Sequence, residues 1–364
     1  MFDFLTLKLS AFGLDISDLS IKLAYLKKKK GILGVASYGE TKLKPGLVEK
    51  GEIKDEKGLA DAIKAAVKQV KGEKLSTNRV IVGLPEEKTF SEVIQMPKTK
   101  EEDLRKAVYF EAENHIPLPI EQVYLDFQAV EPLSGQSDHI DVLLSAIPKT
   151  IADGYVAAIK KAGLRPMVLE SESQAVARAL IKDNTATAPV LIVDIGAVRT
   201  IFTVFSGRSL RFTSSIPISC NEITAAIARA LSIDIGQVEA LSARFDLRAR
   251  DKGGEGRKIF EALVPVFTDL LEQIKKCIDY YQTHSHYENL AEGKKVEKIY
   301  LCGGWANIVK DLVDFLGAEL KIPVELANPW VNIAPGGPET EGNLPGHGLS
   351  FVTALGLALR GIQQ

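Results

Sequence analysis

Two short segments each place an aspartate at the end of an apolar run and directly before a turn of small residues. They read Gly13-Leu14-Asp15-Ile16-Ser17 and Val193-Asp194-Ile195-Gly196-Ala197, and the two aspartates are 179 positions apart. Consecutive backbone N–H groups in such a turn form a concave site for phosphate oxygens. A carboxylate beside the turn suits Mg²⁺, which keeps several water ligands and takes few from the protein. The segments therefore predict two phosphate-binding turns, with Asp15 and Asp194 as metal ligands.

A third segment with glycines at a strand end lies further along the chain and reads Leu301-Cys302-Gly303-Gly304-Trp305-Ala306-Asn307. Two adjacent glycines let the backbone approach a flat ring or a ribose closely, because neither residue carries a Cβ. A helix that begins behind them adds a dipole that favours an anion. Two phosphate turns and one glycine turn, in this order, predict a nucleotide-binding cleft. No Ser-His-Asp or Cys-His arrangement identifies a catalytic residue.

The elements that must position these turns form two similar halves of the chain. An apolar run, an aspartate turn and an alternating strand occur in the same order in each half, and an N-cap at Asp55 begins a helix of the first half. Two repeated halves predict a pseudo-symmetric α/β protein with a cleft between them. The strand and helix patterns lie at 12–26, 32–38, 55–71 and 79–84, and again at 189–207 and 296–320.

Residues 85–165 differ in pattern from both halves and predict a compact module that is inserted into the first half. The module contains two helix patterns separated by strand patterns. Thr99 and Glu102 form a T-x-x-E capping box at the start of the first helix pattern, which predicts that Thr99 is the N-cap.

Composition narrows the class of protein. The 364 residues carry 45 Lys and Arg against 47 Asp and Glu, a net charge of −2, so the chain as a whole does not attract nucleic acid. Three cysteines without CxxC spacing predict neither a zinc site nor disulfides, and they suit a reducing compartment. No apolar run reaches the roughly 18 residues of a spanning helix, and the N-terminus lacks a signal-peptide core. We expect a soluble, cytoplasmic protein, in which Lys27 to Lys30 form a solvated turn.

The order of phosphate turn, inserted module, second phosphate turn and glycine turn resembles that of the actin-like ATPases, whose fold is a duplicated, ribonuclease H-like α/β fold. The module is similar to the 1C subdomain of the cell-division protein FtsA and of the PilM family. KAVYFEAENHIPLPIEQVYLDFQAV (106–130), LESESQAVARAL (169–180) and GHGLSFVTALGLALR (346–360) resemble PilM segments. The resemblance implies subdomain 1A at 1–84, 166–187 and 346–364, 1C at 85–165, 2A at 188–220 and 296–345, and 2B at 221–295.

The resemblance to the PilM family implies a cytoplasmic adaptor of the type IV pilus inner-membrane platform. Such an adaptor binds the N-terminal cytoplasmic tail of PilN in a groove between subdomains 1A and 1C, and it works alongside PilO and the motor ATPases. The alternatives are an FtsA-like ATPase that cycles or polymerises, and a GspL-like component of type II secretion. Proteins of the GspL type continue into a membrane helix, so a chain that stops at Gln364 favours PilM. A sugar kinase of the same superfold is a third alternative. Such kinases need an aspartate base in the substrate pocket, and no aspartate of this sequence stands out in that role.

The resemblance also implies that ATP with Mg²⁺ is the cofactor, and Asp15 and Asp194 are the implied metal ligands. The candidate cofactor-binding residues are Gly13, Asp15, Ser17, Ser20, Lys22, Asp194, Gly196, Ala197, Thr200, Glu239, Gly303, Gly304 and Asn307.

Several residues depart from the family pattern, whose first turn reads Gly-(Ile/Leu)-Asp-Ile-Gly-Ser-Ser-Ser-(Val/Ile)-Lys. Ser17 replaces a glycine, where a positive φ would be costly, and Asp18 brings a negative charge towards a phosphate. Val198 and Arg199 stand where the second turn has small residues, and Ser242 stands where a later helix has lysine. These departures predict weak or absent hydrolysis and leave ATP binding open.

Overall fold

The computed structural model describes residues 10–130, 139–241, 254–284, 295–304, 312–333 and 348–363. The chain divides into two compact units, Met1–Asn184 with Pro329–Gln364, and Thr185–Asn328. The strands are β1 (Phe12–Ile16), β2 (Ser20–Lys29), β3 (Ile32–Lys42), β4 (Val48–Glu49), β5 (Glu52–Ile53), β6 (Lys71–Gly72), β7 (Arg79–Leu84), β8 (Phe90–Pro97), β9 (Val123–Val130), β10 (His139–Pro148), β11 (Arg165–Ser171), β12 (Ala186–Ile195), β13 (Thr200–Gly207), β14 (Ser209–Ile216), β15 (Lys298–Gly303) and β16 (Val324–Leu326). The helices are α1 (Glu56–Lys68), α2 (Glu101–His115), α3 (Lys149–Lys161), α4 (Glu172–Leu180), α5 (Cys220–Leu231), α6 (Ile235–Leu241), α7 (Gly254–His284), α8 (Leu312–Leu320) and α9 (Val352–Gln363).

The first unit is built on a six-stranded sheet in the order β11-β7-β1-β2-β3-β6. Strands β1, β2 and β3 are antiparallel neighbours, whereas β7 is parallel to β1 and β11 is parallel to β7. All five residues of β1 are buried, as a central strand covered on both faces requires. The candidate residue Asp15 therefore lies at the carboxyl end of the most protected strand of the sheet.

Helices α1 and α3 cover one face of this sheet. Leu59, Ile63 and Ala66 of α1 recur at helical spacing and lie in one core with Phe12 and Leu14 of β1. Full burial of a large apolar side chain contributes about 1.5–3 kcal/mol. The predicted N-cap of α1 is confirmed, because the Asp55 carboxylate accepts a hydrogen bond from the Gly58 backbone N–H at 2.9 Å.

The opposite face of the sheet is covered by α4 and α9, and α9 lies at backbone contact distance from both α4 and β1. A Cβ at Gly13 would lie 2.3 Å from the carbonyl oxygen of Ala354 and 2.6 Å from the backbone nitrogen of Ala358. A Cβ at Gly356 would lie 1.8 Å from the carbonyl oxygen of Ala175. Only glycine fits these two positions, and α9 thereby forms the support beneath β1.

The inserted module is a three-stranded antiparallel sheet in the order β8-β10-β9, with α2 packed on it. Leu104, Val108 and Ala112 of α2 share a core with Val142 and Leu144 of β10. The capping-box prediction was wrong. The α2 helix begins at Glu101, and Lys100 at its cap makes no side-chain hydrogen bond.

The Thr99 hydroxyl donates instead to the Pro97 carbonyl at 2.9 Å, so it is engaged with the end of β8 rather than with the helix.

The helix α3 is the last element of the 85–165 segment, but it packs on the body of the first unit rather than on the three-stranded sheet. Tyr155, Ala158 and Ile159 lie in the core formed by α1 and the six-stranded sheet. The subdomain boundaries stay a prediction.

The second unit repeats the first. Its sheet has the order β14-β13-β12-β15-β16, which corresponds to β3-β2-β1-β7-β11, and the strand directions agree. The register agrees as well: Asp15 pairs with Lys22, and Asp194 pairs with Ile201, so one shift of 179 positions relates both pairs. The predicted duplication is confirmed down to individual residue pairs. None of the helices in the described ranges combines the length and the apolarity that crossing a bilayer needs.

Candidate functional site

The first candidate turn connects β1 to β2 and is closed by its own serines. The Ser17 backbone N–H donates to the Ser20 carbonyl at 2.9 Å, and the Ser20 N–H donates to the Ser17 hydroxyl at 3.1 Å. Ser17 is not among the residues with a positive φ. The expectation that serine is costly at this position was therefore wrong, because this turn does not use the left-handed region.

The backbone N–H groups at the apex of the two turns are available for an anion. The turn between β12 and β13 has the same closing bond, from the Gly196 N–H to the Arg199 carbonyl at 2.9 Å. Within the described part of the chain, no hydrogen bond from the backbone N–H of Asp18 or Leu19 is present, nor from the equivalent N–H groups of Ala197 and Val198. Two adjacent, unengaged N–H groups in each turn are what a phosphate oxygen requires.

The carboxylate of Asp18 is bound to the neighbouring turn between β4 and β5. Its oxygens accept hydrogen bonds from the backbone N–H groups of Lys50 at 2.8 Å and of Gly51 at 2.9 Å. The hydroxyl of Tyr155, on α3, donates to the Gly51 carbonyl at 3.2 Å. Two N–H groups thus stabilise the charge that the sequence suggested would repel a phosphate. Asp18 anchors the first turn to the body of the unit.

Asp15 is the buried end of a row of three charged residues, Asp15, Lys22 and Glu40, that crosses three strands. Burial raises the pKa of the Asp15 carboxyl above its ordinary value, the positive charge of Lys22 lowers this pKa and the negative charge of Glu40 raises it. The Lys22 ammonium lies 3.9 Å from a Glu40 carboxylate oxygen, so its charge is shared with that residue. A bound cation would offset the desolvation of Asp15, and this position therefore fits Mg²⁺ contacted directly or through water. No group of three or more His, Cys, Asp or Glu in the described ranges is arranged as a metal site of its own.

Two glutamates that the sequence analysis missed lie at the same edge of the sheet. The Glu86 backbone N–H donates to a Glu172 carboxylate oxygen at 3.4 Å, and the Ser173 N–H donates to a Glu86 carboxylate oxygen at 3.2 Å. Burial raises the pKa of the Tyr155 hydroxyl, and four negative charges, Glu172 first and Asp15 among them, raise it further. Glu172 therefore belongs to the surroundings of the first turn. The signal was available, because Glu86 lies two residues after the end of β7 and Glu172 directly after β11. These strands are parallel, and their carboxyl ends meet at one edge.

The second candidate turn is held by the start of α5. The backbone N–H groups of Cys220 and Asn221 donate to the carbonyls of Gly196 at 2.9 Å and Ala197 at 3.1 Å. A Cβ at Gly196 would lie 2.8 Å from the Arg199 carbonyl oxygen, so a larger residue there would require this turn to shift. Thr200 is fully buried, and its hydroxyl donates to the Ile218 carbonyl at 2.8 Å. The Thr200 side chain thus serves the fold of the turn and does not reach its anion-binding face.

The glycine turn after β15 lies beside Asp194. Gly303 has a φ of 95°, and a Cβ there would lie 2.6 Å from an Asp194 carboxylate oxygen. Burial raises the pKa of the Cys302 thiol well above its ordinary value, and the charge of Asp194 and a hydrogen bond to it raise this pKa further. The Gly304 N–H donates to the Ile195 carbonyl at 3.2 Å. The structure thus brings Asp194, Gly303 and Gly304 together.

The candidate residues do not all lie in the same unit. Asn307 and the side chain of Glu239 lie outside what the structure describes. Gly13, Asp15, Ser17, Ser20 and Lys22 belong to the first unit, and the other described candidates belong to the second unit.

The junction between the inserted module and the body of the first unit has a surface of its own. The Tyr124 hydroxyl, on β9, donates to an Asp153 carboxylate oxygen of α3 at 3.0 Å, and the Lys149 ammonium lies 5.6 Å from the Tyr124 ring centroid. The Gln174 amide of α4 donates to the Ser145 hydroxyl of β10 at 3.2 Å. Half of the Tyr124 side chain remains exposed, at 49%. The junction offers an aromatic face between charged groups.

The repeated sheet order and the matched aspartate turns define an actin-like protein. Two solved structures are similar to the chain at the level of the fold. Ethanolamine utilization protein EutJ from Carboxydothermus hydrogenoformans is 18% identical, with a TM-score of 0.54 over 96% of this chain and 89% of that chain. MreB5 of Spiroplasma citri, bound to ADP, is 12% identical, with a TM-score of 0.53 over 96% of this chain and 94% of that chain.

The family model described as Type IV pilus assembly protein PilM matches residues 13–362, and the chain belongs to this family. A solved structure of a PilM-PilN type IV pilus biogenesis complex is similar to nearly the whole of this chain. The identity is 26% and the TM-score 0.79, over 98% of this chain and 100% of that chain. The resemblance inferred from the sequence is confirmed for both the fold and the family.

Proposed function

We propose that the protein is an adaptor of the type IV pilus inner-membrane platform that binds the N-terminal cytoplasmic tail of a PilN-like protein. The observation that carries this proposal is the similarity to a PilM-PilN complex over 98% of this chain at 26% identity. In this proposal the protein works on the cytoplasmic side and reaches the membrane through its partner. PilO and the motor ATPases belong to the same assembly as direct or indirect partners.

The tail would bind at the junction of the inserted module and the body of the first unit, which corresponds to the proposed groove between subdomains 1A and 1C. Tyr124 contributes an aromatic ring that is half exposed, and Lys149 and Asp153 place opposite charges beside it. Aromatic anchors with charged neighbours account for much of the binding energy of many protein interfaces. The two hydrogen bonds that tie β9 to α3 and β10 to α4 keep this surface in one arrangement.

We predict that a fluorescently labelled peptide of the tail binds the full chain, and that Tyr124→Ala weakens this binding by about 10-fold or more, as loss of an aromatic anchor does. Fluorescence anisotropy measures the dissociation constant. Tyr280→Ala is the matched control, since Tyr280 is also 49% exposed but lies in the other unit. A wild-type chain that does not bind the tail contradicts the adaptor proposal. Equal losses in the two variants contradict the location.

We also propose that ATP with Mg²⁺ is the cofactor and that it modulates tail binding. Support comes from the matched N–H pairs at positions 18–19 and 197–198, from the desolvated Asp15, and from Gly303, where only glycine leaves room beside Asp194. When bound, the metal ion would neutralise phosphate charge. Asp15 and Asp194 would orient its water ligands, and the N–H groups would hold phosphate oxygens. An ATPase that cycles or polymerises is the alternative, and Glu172 is the described carboxylate to test in that case.

We predict that titration calorimetry with Mg-ATP gives heat of binding for the wild type, and that Asp194→Ala weakens the affinity by about 10-fold or more, because a charge-assisted contact contributes about 1.5–3 kcal/mol. Asp269→Ala, at an exposed aspartate on α7 of the same unit, serves as the control. Equal heats from the wild type and Asp194→Ala would sink the role of Asp194. If the wild type gives no heat of binding, the ATP proposal is contradicted and the protein acts as a scaffold without nucleotide.

A further inference from the structure

The tip of the β2–β3 hairpin combines a row of lysines with one exposed apolar side chain. Lys28, Lys29 and Lys30 are exposed, and the Lys29 side chain retains 73% of its accessible surface. Ile32, directly opposite Lys29 in the hairpin register, is 60% exposed. The sequence predicted a solvated turn over all four lysines, but β2 continues to Lys29, and only Lys30 and Gly31 form the turn.

The turn retains a lysine at a position where lysine is unfavourable. Lys30 has a φ of 50° and Gly31 a φ of 84°, so both central residues of this two-residue turn lie in the left-handed region. Such turns favour asparagine or aspartate followed by glycine, because most other side chains are strained at positive φ. Lys30 therefore places a positive charge at the outermost point of the hairpin at a conformational cost that asparagine would avoid.

The tip carries a net positive charge after its ion pairs are counted. The Glu73 carboxylate forms ion pairs with two of these lysines. Its oxygens lie 2.7 Å from the Lys27 ammonium and 2.6 Å from the Lys29 ammonium. Hydrogen bonds from these two lysines lower the pKa of Glu73 to about 2, so its carboxylate is ionised at neutral pH. No carboxylate in the described residues pairs with Lys28 or Lys30. Among the described residues, Glu73 is the carboxylate that pairs with these four lysines, on a chain whose total charge is −2.

We propose that this hairpin tip docks on an anionic phospholipid surface, with the lysines at the lipid phosphates and Ile32 in the interfacial layer. The charge of the tip is complementary to that of an anionic membrane, and basic side chains bind such surfaces within a short screening distance. The exposed isoleucine favours a membrane over a nucleic acid as the partner. The membrane interface can bury an apolar side chain, whereas the phosphate backbone of a nucleic acid offers charge alone. This inference does not depend on tail binding.

Vesicle co-sedimentation of the full chain tests the proposal. We expect binding to phosphatidylcholine vesicles that contain phosphatidylglycerol, no binding to pure phosphatidylcholine vesicles, and a loss of binding as salt increases. The variant Lys28→Gln/Lys30→Asn is expected to lower the affinity about 25-fold, since each lysine near an anionic surface contributes roughly fivefold. Asparagine suits the left-handed turn position, so this variant keeps its fold. Lys44→Gln/Lys57→Gln removes the same charge from other exposed positions and is expected to change the affinity less than about twofold.

A second arm separates lipid from other polyanions. Ile32→Ser is expected to lower vesicle affinity several-fold and to leave binding to a DNA duplex unchanged. The proposal is overturned if the wild type does not bind anionic vesicles, if it binds neutral vesicles equally well, or if the two lysine variants lose affinity equally. It is also overturned if Ile32→Ser leaves vesicle affinity unaltered. Tail-peptide binding measured on the same variants should remain at the wild-type level, so the adaptor proposal and this one can fail separately.

Discussion

Gly356→Ala is expected to lower the free energy of unfolding by about 3 kcal/mol or more. The new methyl group would lie 1.8 Å from the carbonyl oxygen of Ala175, closer than any real contact, so α9 must move away from α4. Inserting atoms into a close-packed core typically costs about 1–3 kcal/mol, and the obstacle here is rigid backbone rather than a side chain that can turn aside. Urea unfolding of the full chain, followed by circular dichroism, measures the change.

Gly154→Ala is the matched control, because Gly154 also lies inside a helix. A Cβ at Gly154 would meet only the Ile53 side chain, at 4.0 Å, which is an ordinary contact. Alanine is the better helix former, and this variant is expected to gain about 0.5–1 kcal/mol. The two substitutions are chemically identical and should differ in sign. A Gly356→Ala chain as stable as the wild type would contradict the close crossing of α4 and α9.

Arg178→Leu is expected to destabilise the first unit by about 3–5 kcal/mol. The Arg178 guanidinium binds both carboxylate oxygens of Glu170, one of them at 2.8 Å, and donates to the Gly356 carbonyl at 3.2 Å. The Arg178 and Glu170 side chains are only 13% and 5% exposed. Leucine would leave the Glu170 carboxylate buried without its cation. The exposed pair of Arg257 and Glu261 provides the control, and Arg257→Leu should cost less than about 1 kcal/mol.

The sequence predicted the features that depend on short stretches of chain. The places of the two aspartate turns between paired strands, the duplication and the Asp55 cap each follow from a local pattern of apolar, small and acidic residues, and the structure confirms them. The fold and family also followed from motif order, because several weak motifs in one order are far more specific than each alone.

The features that the sequence did not reveal depend on which elements become neighbours. The acidic residues after β7 and β11 share one edge of the sheet with Asp15 only because β7 lies between β1 and β11. The sequence predicted that Asp18 repels a phosphate, but its carboxylate is bound by backbone N–H groups of the β4–β5 turn, which is distant in sequence. Thr99 matched a capping box, but the end of β8 competes for its hydroxyl. Predictions of this kind fail where a side chain has a choice of partners.

The support that α9 gives to β1 has a consequence for the order in which the protein is made. Strand β1 ends at Ile16, whereas α9, which covers part of one of its faces, begins only at Val352. The second unit is contiguous in sequence and lies between them, so all of it is synthesised while that face of β1 still lacks α9. The sheet of the first unit therefore has part of an apolar face exposed until synthesis reaches α9. A chain that ends before residue 352 should be a chaperone substrate, although it contains the whole second unit.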